Sequence, residues 1–443
     1  MNILYIHTHD TGCFIQPYGY QVDTPALMDF AKKGTLFRSA FSAAPTCSPS
    51  RAALLTGQYP HSCGMFGLAH RGFEMPDYSC HMASYFKSQG YETVLCGIQH
   101  EAAEAASIGY SRILDTQEFD MGCLEFDART FDMDNSACVS EYLRSGHDRP
   151  FFLSFGLFST HREYPEPDGD IDAGYVMKMP GLPDTDVIRQ DTAGYMTSVR
   201  IADRAIGNVL QALSDSGLSE QTVVIYTTDH GLALPGMKCT LYDLGTSVGL
   251  ILDYPGNPSR GTVCDALISQ VDIFPTLCEL CGIEKPDWLQ GTSFLPVLER
   301  RASEIRTEVY SEITYHASYE PVRSVRTRQY KLIRRFDADL SVALANIDDS
   351  PAKTLLMEQG YYDNPHQETE LYDLCADPGE KQNLADDPAY AGIRNELSSK
   401  LMQWMEATAD PLMDGLIEAP REAIVNAKTD YSAKIRPGER NHG

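Results

Sequence analysis

Residues 222–231 read TVVIYTTDHG, seven residues of strand-forming type followed at once by an aspartate, a histidine and a glycine. An uninterrupted β-branched and aromatic run of this length, with no polar alternation, is the pattern of a strand covered on both faces in a parallel sheet. A helical pattern precedes it, from about Asp191 to Ser214, with Met196, Val199, Ala202 and Ile206 on one side and Gly217 beyond its end. A helix leading into a buried strand is half of a crossover unit, so the other halves are expected elsewhere in the chain.

They are present in both directions. Ile3–Thr8, ETVLCG (92–97), FFLSFGLF (151–158) and VGLILD (248–253) read as further strands. TPALMDFAKKG (24–34) reads as a helix with Thr24 at the N-cap, Pro25 at the first position and Gly34 as the stop. VDIFPTLCELCGI (271–283) reads as another, with Cys278 and Cys281 on one side as core residues. The expected fold is α/β, a large mostly parallel sheet sandwiched by helices. After WLQGTSFLPVLERR (288–301) the pattern changes: EVYSEITY (308–315), RSVRTRQYKLIRRF (323–336) and ELYDL (370–374) alternate apolar and polar residues, as antiparallel strands with one wet face do. A helix near Tyr390–Ala407 follows, with Ile393, Leu397, Leu401 and Trp404 in register. The expected division is a catalytic α/β domain over 1–302 and a smaller α+β domain over 303–443.

The chain has 443 residues, 43% of them hydrophobic, and a net charge of −26. That charge excludes a nucleic-acid binder, which needs basic surface to replace phosphate counterions, and it repels long polyanions. A small anion still binds where a local cluster such as Arg51 and Lys238 overrides the global field. The chain opens directly into strand pattern, without a basic segment and apolar core of a targeting signal, and no run is long enough to span a membrane. The expected location is cytoplasmic. The twelve cysteines are scattered, which fits reduced thiols better than a disulfide framework.

Ligands of open α/β sheets bind beyond the carboxyl ends of the strands. Here those ends carry His9-Asp10, Gln99-His100, Thr160-His161 and Asp229-His230. Asp10, Asp229 and His230 supply two carboxylates and an imidazole for a divalent cation, with His9 as a helper. His100 and His161 are bases of suitable pKa. In PTCSPSRAALLTGQYPH (45–61), Pro49 suits the first turn of a helix that Gly57 and Pro60 stop, so Cys47 is expected just outside a helix N-terminus, where an anion is favoured. A thiolate phosphatase loop needs five residues between Cys and Arg, and only three separate Cys47 from Arg51. A cysteine protease needs no dicarboxylate metal site, and a zinc site needs further Cys or His at short spacing.

These residues resemble the sulfatase family, of alkaline phosphatase-like fold. CSPSRAALLTG carries the family signature, and NILYIHTHDTG, GLFSTHREYP, VVIYTTDHG, VRTRQYKLI and ELYDLCADPGEKQNL extend the similarity over nearly the whole chain. HSCGMFGLAH and GLALPGMK give it the look of the heparan N-sulfatase (sulfamidase) branch. The resemblance implies that Cys47 is oxidised to formylglycine by a formylglycine-generating enzyme or an anaerobic maturase. The hydrated aldehyde, bound to the metal and held by Arg51, would attack sulfur. His161 would protonate the leaving group, His100 would deprotonate the second hydroxyl to eject sulfate, and Lys238 would grip the sulfate.

Two departures stand out. The family commonly has Gly-Lys-x-His where this chain has Gly97-Ile98-Gln99-His100, so one cation is missing. The family's paired aspartates and Asp-Asn are replaced by His9-Asp10 and Asp229-His230. Calcium is the family metal, whereas imidazole suits manganese or zinc. The same set keeps a phosphonate monoester or phosphodiester hydrolase as the runner-up, and the loss at Ile98 admits a decayed binding protein as a third reading. From the second domain, His316 and Arg323 in EITYHASYEPVR are candidates for substrate contacts. The expected substrate is a small sulfate ester or sulfamate of a sugar.

Overall fold

The structure is a computed structural model that describes residues 1–114 and 127–434. Eight strands form the main sheet: β1 (Asn2–Thr8), β2 (Thr35–Phe37), β3 (Glu92–Gly97), β4 (Arg112–Ile113), β5 (Phe151–Gly156), β6 (Thr222–Thr228), β7 (Leu250–Asp253) and β8 (Thr262–Cys264). Their order is β4-β3-β5-β1-β6-β7-β2-β8. The sheet is mostly parallel, as expected, and β7 alone runs against both of its neighbours. The cause lies in the connection: residues 229–249 stay at the carboxyl edge of β6 instead of returning by a helix, so β7 starts there and runs back.

All seven residues of β1 and of β6 are buried, which is why neither alternates. Side chains leave a strand on alternate sides, and the core divides accordingly. On one face Leu4, Ile6, Leu153, Val224 and Tyr226 pack against α1 (Pro25–Lys33), α3 (Ala128–Arg144) and α4 (Asp186–Asp215). On the other, Ile3, Tyr5, Phe152 and Ile225 meet Leu54 and Leu55 of α2 (Cys47–Thr56) and Phe274, Leu277 and Cys278 of α5 (Ile273–Cys281). Cys278 is thus a core residue. α4 starts at Asp186 rather than Asp191, because Thr185 caps it by accepting the N–H of Ile188.

The C-terminal sheet is antiparallel, β9 (Glu308–Tyr315), β10 (Tyr319–Thr327), β11 (Tyr330–Arg335) and β12 (Thr369–Asp373), with α6 (Pro351–Glu358) between the last two. α7 (Ala391–Ala407) covers it, and Trp404 stacks on Tyr310 with ring centroids 4.9 Å apart. Leu332, Leu371, Leu401 and Trp404 share one apolar cluster with Ala52 and Ala53 of α2. No helix among the described residues is long and apolar enough to cross a membrane, and none of the described cysteines is paired.

Candidate active site

Because β1, β3, β5 and β6 are parallel, His9-Asp10, His100, His161 and Asp229-His230 emerge on one edge. The ends of β3 and β5 come together through Gly97 and Gly156, where a Cβ on Gly97 would stand 2.1 Å from the Gly156 carbonyl oxygen. Only glycine fits there. The segment after β5 is fixed from two helices: Asp132 of α3 accepts the N–H groups of Phe158 and Ser159, at 2.8 and 2.9 Å. Asp191 of α4 receives Arg162 in a two-pronged pair at 2.8 and 2.7 Å.

Cys47 is the first residue of α2 rather than lying outside it, with Thr46 extended before it and Gly57 ending the helix in the left-handed conformation (φ 67°). The Cys-to-Arg stretch is entirely buried. Ser50 Oγ donates to the Asp229 carbonyl oxygen at 2.6 Å, and the Gln270 amide donates to the carbonyls of Thr228 and Asp229. These contacts bind the helix start to the end of β6. The ligand atoms of His9, Asp10, Cys47 and Asp229 all lie within 4.8 Å of one another. His230 Nε2 is 3.4 Å from Cys47 Sγ and 3.4 Å from Asp10 Oδ1.

Two cations hold the carboxylates. Arg51 donates to Asp229 Oδ2 at 3.0 Å and to the Thr8 carbonyl, and contacts His7 Nδ1 at 2.6 Å. Burial, and then Arg51, hold His7 well below the usual imidazole range, so His7 is neutral and accepts from Arg51. Lys238 lies 3.0 Å from Asp10 and 3.0 Å from Asp348. Burial works against these charges, yet the mutual attraction prevails: Asp10 and Asp229 sit well below the usual carboxylate range and Lys238 well above its own. Burial pushes the Cys47 thiol well above its ordinary value, partly offset by Lys238, so the unmodified cysteine is a poor nucleophile. His161 donates from Nδ1 to the Arg162 carbonyl at 2.6 Å and turns Nε2 toward Asp10, 3.9 Å away. His100 Nε2 pairs with His70 Nδ1 at 2.8 Å, the rings stacked.

A family model described as sulfatase matches residues 1–283, and a second, described as N-sulphoglucosamine sulphohydrolase, C-terminal, matches residues 237–359. The chain belongs to the sulfatase family. Among its relatives, human N-sulphoglucosamine sulphohydrolase is 30% identical over 90% of this chain and 88% of its own. An ulvan-active sulfatase of Formosa agariphila is 30% identical over 96% of this chain and 82% of its own. A solved phosphonate monoester hydrolase from Silicibacter pomeroyi shares the fold, with a TM-score of 0.70 at 19% identity over 97% of this chain and all of that one. The fold alone therefore does not separate sulfur from phosphorus esters; the family match does.

The donor set of this sulfatase fits a divalent cation. Asp10 Oδ1 and both ring nitrogens of His9 are buried with no hydrogen-bond partner, and His9 Nδ1 faces Asp229 Oδ2 at 3.0 Å. His230 Nδ1 donates to the Gly231 carbonyl, so Nε2 turns a lone pair toward the carboxylate oxygens. Lone pairs directed at one another in a dry site require a positive charge between them. His9 therefore joins Asp10 and Asp229 at the centre rather than at its margin.

Of the two residues expected from the second domain, His316 is buried within the field of Lys238 and Asp348. Arg323 belongs elsewhere. Its guanidinium is fully buried, donates to Asp410 at 2.6 and 3.1 Å and to the Ile313 carbonyl at 2.8 Å, and neighbours Glu312. It neutralises an internal cluster with His61 and has no face toward the cleft. Sequence reasoning passed over His7, His70, Gln270 and Asp348. His70 lies in HSCGMFGLAH beside the signature, but the other three carry no local motif.

Proposed function

We propose that this sulfatase releases inorganic sulfate from a small sulfated sugar, cleaving a sulfate ester or sulfamate. The observation that carries the reading is the convergence of Cys47, Asp10, Asp229 and His9 within 4.8 Å, between Arg51 and Lys238. A sulfate monoester has one negative charge, and two buried cations with a metal balance it without the lysine absent at Ile98. The fully buried centre and the net charge of −26 favour a small molecule or chain end over an internal polymer site.

When present, the metal and the formylglycine derived from Cys47 supply a polarised sulfate and an oxygen nucleophile. Asp10, Asp229 and His9 would hold the metal, with His230 beside them. Calcium is the family expectation, and the imidazoles make manganese or zinc the alternatives to test. Arg51 orients Asp229 and faces the nucleophile position. Lys238 orients Asp10 and attracts the sulfate. His161, whose Nδ1–H is tied to the Arg162 carbonyl, would carry the proton for the leaving group at Nε2 in its doubly protonated form. Burial lowers its pKa to about 4 in the free protein, and an arriving sulfate anion raises it. His100 accepts a proton, with His70 as its neighbour.

The test is the protein co-produced with a formylglycine-generating enzyme or anaerobic maturase, assayed against N-sulfoglucosamine, aryl sulfate, aryl phosphonate monoester and phosphodiester. Faster turnover of a sulfur substrate supports the proposal. Much faster turnover of the phosphorus esters would replace it with the runner-up reading, and inactivity of metal-loaded, matured protein toward all four would favour a binding protein.

A further inference from the structure

Lys238 is held between two carboxylates of opposite exposure. Asp10 is fully buried on the metal side, whereas 24% of the Asp348 side chain is open on the other. Asp348 is thus the carboxylate of this constellation that is partly open to solvent, with Oδ2 buried against Lys238, and it lies within the electrostatic reach of Cys47, His161 and His316. Its position is built. Asn346, two residues earlier, accepts the N–H groups of Ala317 and Ser318 and donates to Glu320 at 2.9 Å. The following Asp349 pairs with Lys353 at 2.9 Å and receives Ser432.

A carboxylate beside an anion site opposes binding of the substrate's own charge. It offsets one of the two cations, Arg51 and Lys238, that attract sulfate. Lys238 already has Asp10 as a counter-charge, so Asp348 is a surplus carboxylate that favours a ligand bringing a positive charge of its own. The two classes of sulfate substrate differ in that respect. Hydrolysis of an O-sulfate breaks the S–O bond and leaves a neutral alcohol, sulfate dianion and a proton released to water. Hydrolysis of a sulfamate breaks the S–N bond, with the electron pair going to nitrogen. Water supplies the fourth sulfate oxygen and both of its protons end on nitrogen, so the amine departs as an ammonium. Positive charge develops on the leaving group in one case only.

We propose that Asp348 is a specificity-determining residue that recognises this ammonium, selecting N-sulfated amino sugars over O-sulfated ones. The proposal rests on the sulfohydrolase reading above and names the bond within it. On this proposal Asp348 would leave Lys238 to the sulfate and meet the nitrogen as the charge appears, stabilising the transition state more than the ground state.

Two measurements test it, one without turnover. By calorimetry, D-glucosamine should bind the metal-loaded protein at least tenfold more tightly than glucose near pH 6, and Asp348→Asn should abolish that preference while Asp348→Glu retains part of it. Equal binding of the two sugars, or an unchanged preference in Asp348→Asn, would overturn the proposal whatever the enzyme hydrolyses. In matured protein, Asp348→Asn should lower kcat/KM on N-sulfoglucosamine about 10- to 100-fold more than on glucosamine 6-sulfate. Equal losses on both would assign Asp348 to sugar hydroxyls or to structure and reject the ammonium role. Activity on neither sulfate, with the glucosamine preference intact, would count against the sulfohydrolase reading alone.

Discussion

Arg51 Nη2 and Asp229 Oδ2 meet at 3.0 Å with neither side chain open to water. The pair joins the start of α2 to the end of β6, so its loss is felt in both structure and site. Arg51→Ala leaves Asp229 as an uncompensated buried charge and should lower stability by about 3–5 kcal/mol. Arg51→Lys keeps the charge but lacks the fork that reaches Asp229, Thr8 and His7 together. Urea midpoints should therefore fall in both variants, less in Arg51→Lys, and added divalent cation should restore part of the deficit in Arg51→Ala.

The buried Cys47 thiol, pushed well above its usual pKa, should resist alkylation in the folded protein. Iodoacetamide at pH 8 should label exposed Cys375 and spare Cys47, with both labelled in urea. Rapid folded-state labelling at Cys47 would contradict the burial. Cys47→Ala should fold and bind metal more weakly, without turnover.

Chelator-stripped protein should bind one divalent ion and gain about 2.7 kcal/mol at a metal concentration 100-fold above Kd. Asp10→Asn should lose most of that gain and all activity. Separate titrations with calcium, manganese and zinc identify the metal, and no binding by any of the three would reject the site.

Acid should destabilise the protein through histidines outside the site. Burial lowers His81 to about 3, and lowers His366 to about 3 with help from Arg335 and Lys428. Unfolded, both titrate near about 6.5. Between these values the unfolded chain binds protons that the folded chain refuses, so stability is full above the unfolded pKa and is lost as pH falls toward the folded one. The slope is at most about 1.4 kcal/mol per pH unit for each histidine. His81 Nδ1 accepts the Ala83 N–H at 3.1 Å. Asparagine supplies the same cap without the titration. His81→Asn should flatten the fall in urea midpoint between pH 6 and 4; an unchanged slope would show His81 charged in the fold.

Gly97→Ala should be disproportionately harmful for a single methyl. It forces a left-handed residue (φ 79°) and a clash with the Gly156 carbonyl, so a loss above about 2 kcal/mol is expected, with kcat falling because His100 follows three residues later.

The strands were legible because burial on both faces leaves continuous apolar runs, and the site because parallel strands deliver their terminal residues to one edge. Asp10, Asp229, His100 and His161 stand at strand ends and were legible in this way, whereas Cys47 was read from the helix that Pro49 and Gly57 mark out. Arg323 misled because an arginine in an alternating strand reads as wet, whereas β10 is covered by α7 and the residues around Asp410, which supply its counter-charge. Asp348 and Gln270 act on segments more than 40 residues away, a relation that spacing along the chain does not encode. The reversed β7 was hidden for a similar reason: direction depends on the path of the connection, not on the strand's composition.

The signature helix is enclosed by parts of the chain made long after it. Ala52 and Ala53 pack in a cluster whose other members include Leu371, Leu401 and Trp404, and Cys47 is 2% exposed once that cluster closes. At ribosomal speeds of about 5–20 residues per second, the partners emerge about 16–71 s after Cys47. Any enzyme that altered this cysteine would meet it most easily in that interval, so biosynthetic timing, as much as chemistry, would decide what fraction of the molecules is altered.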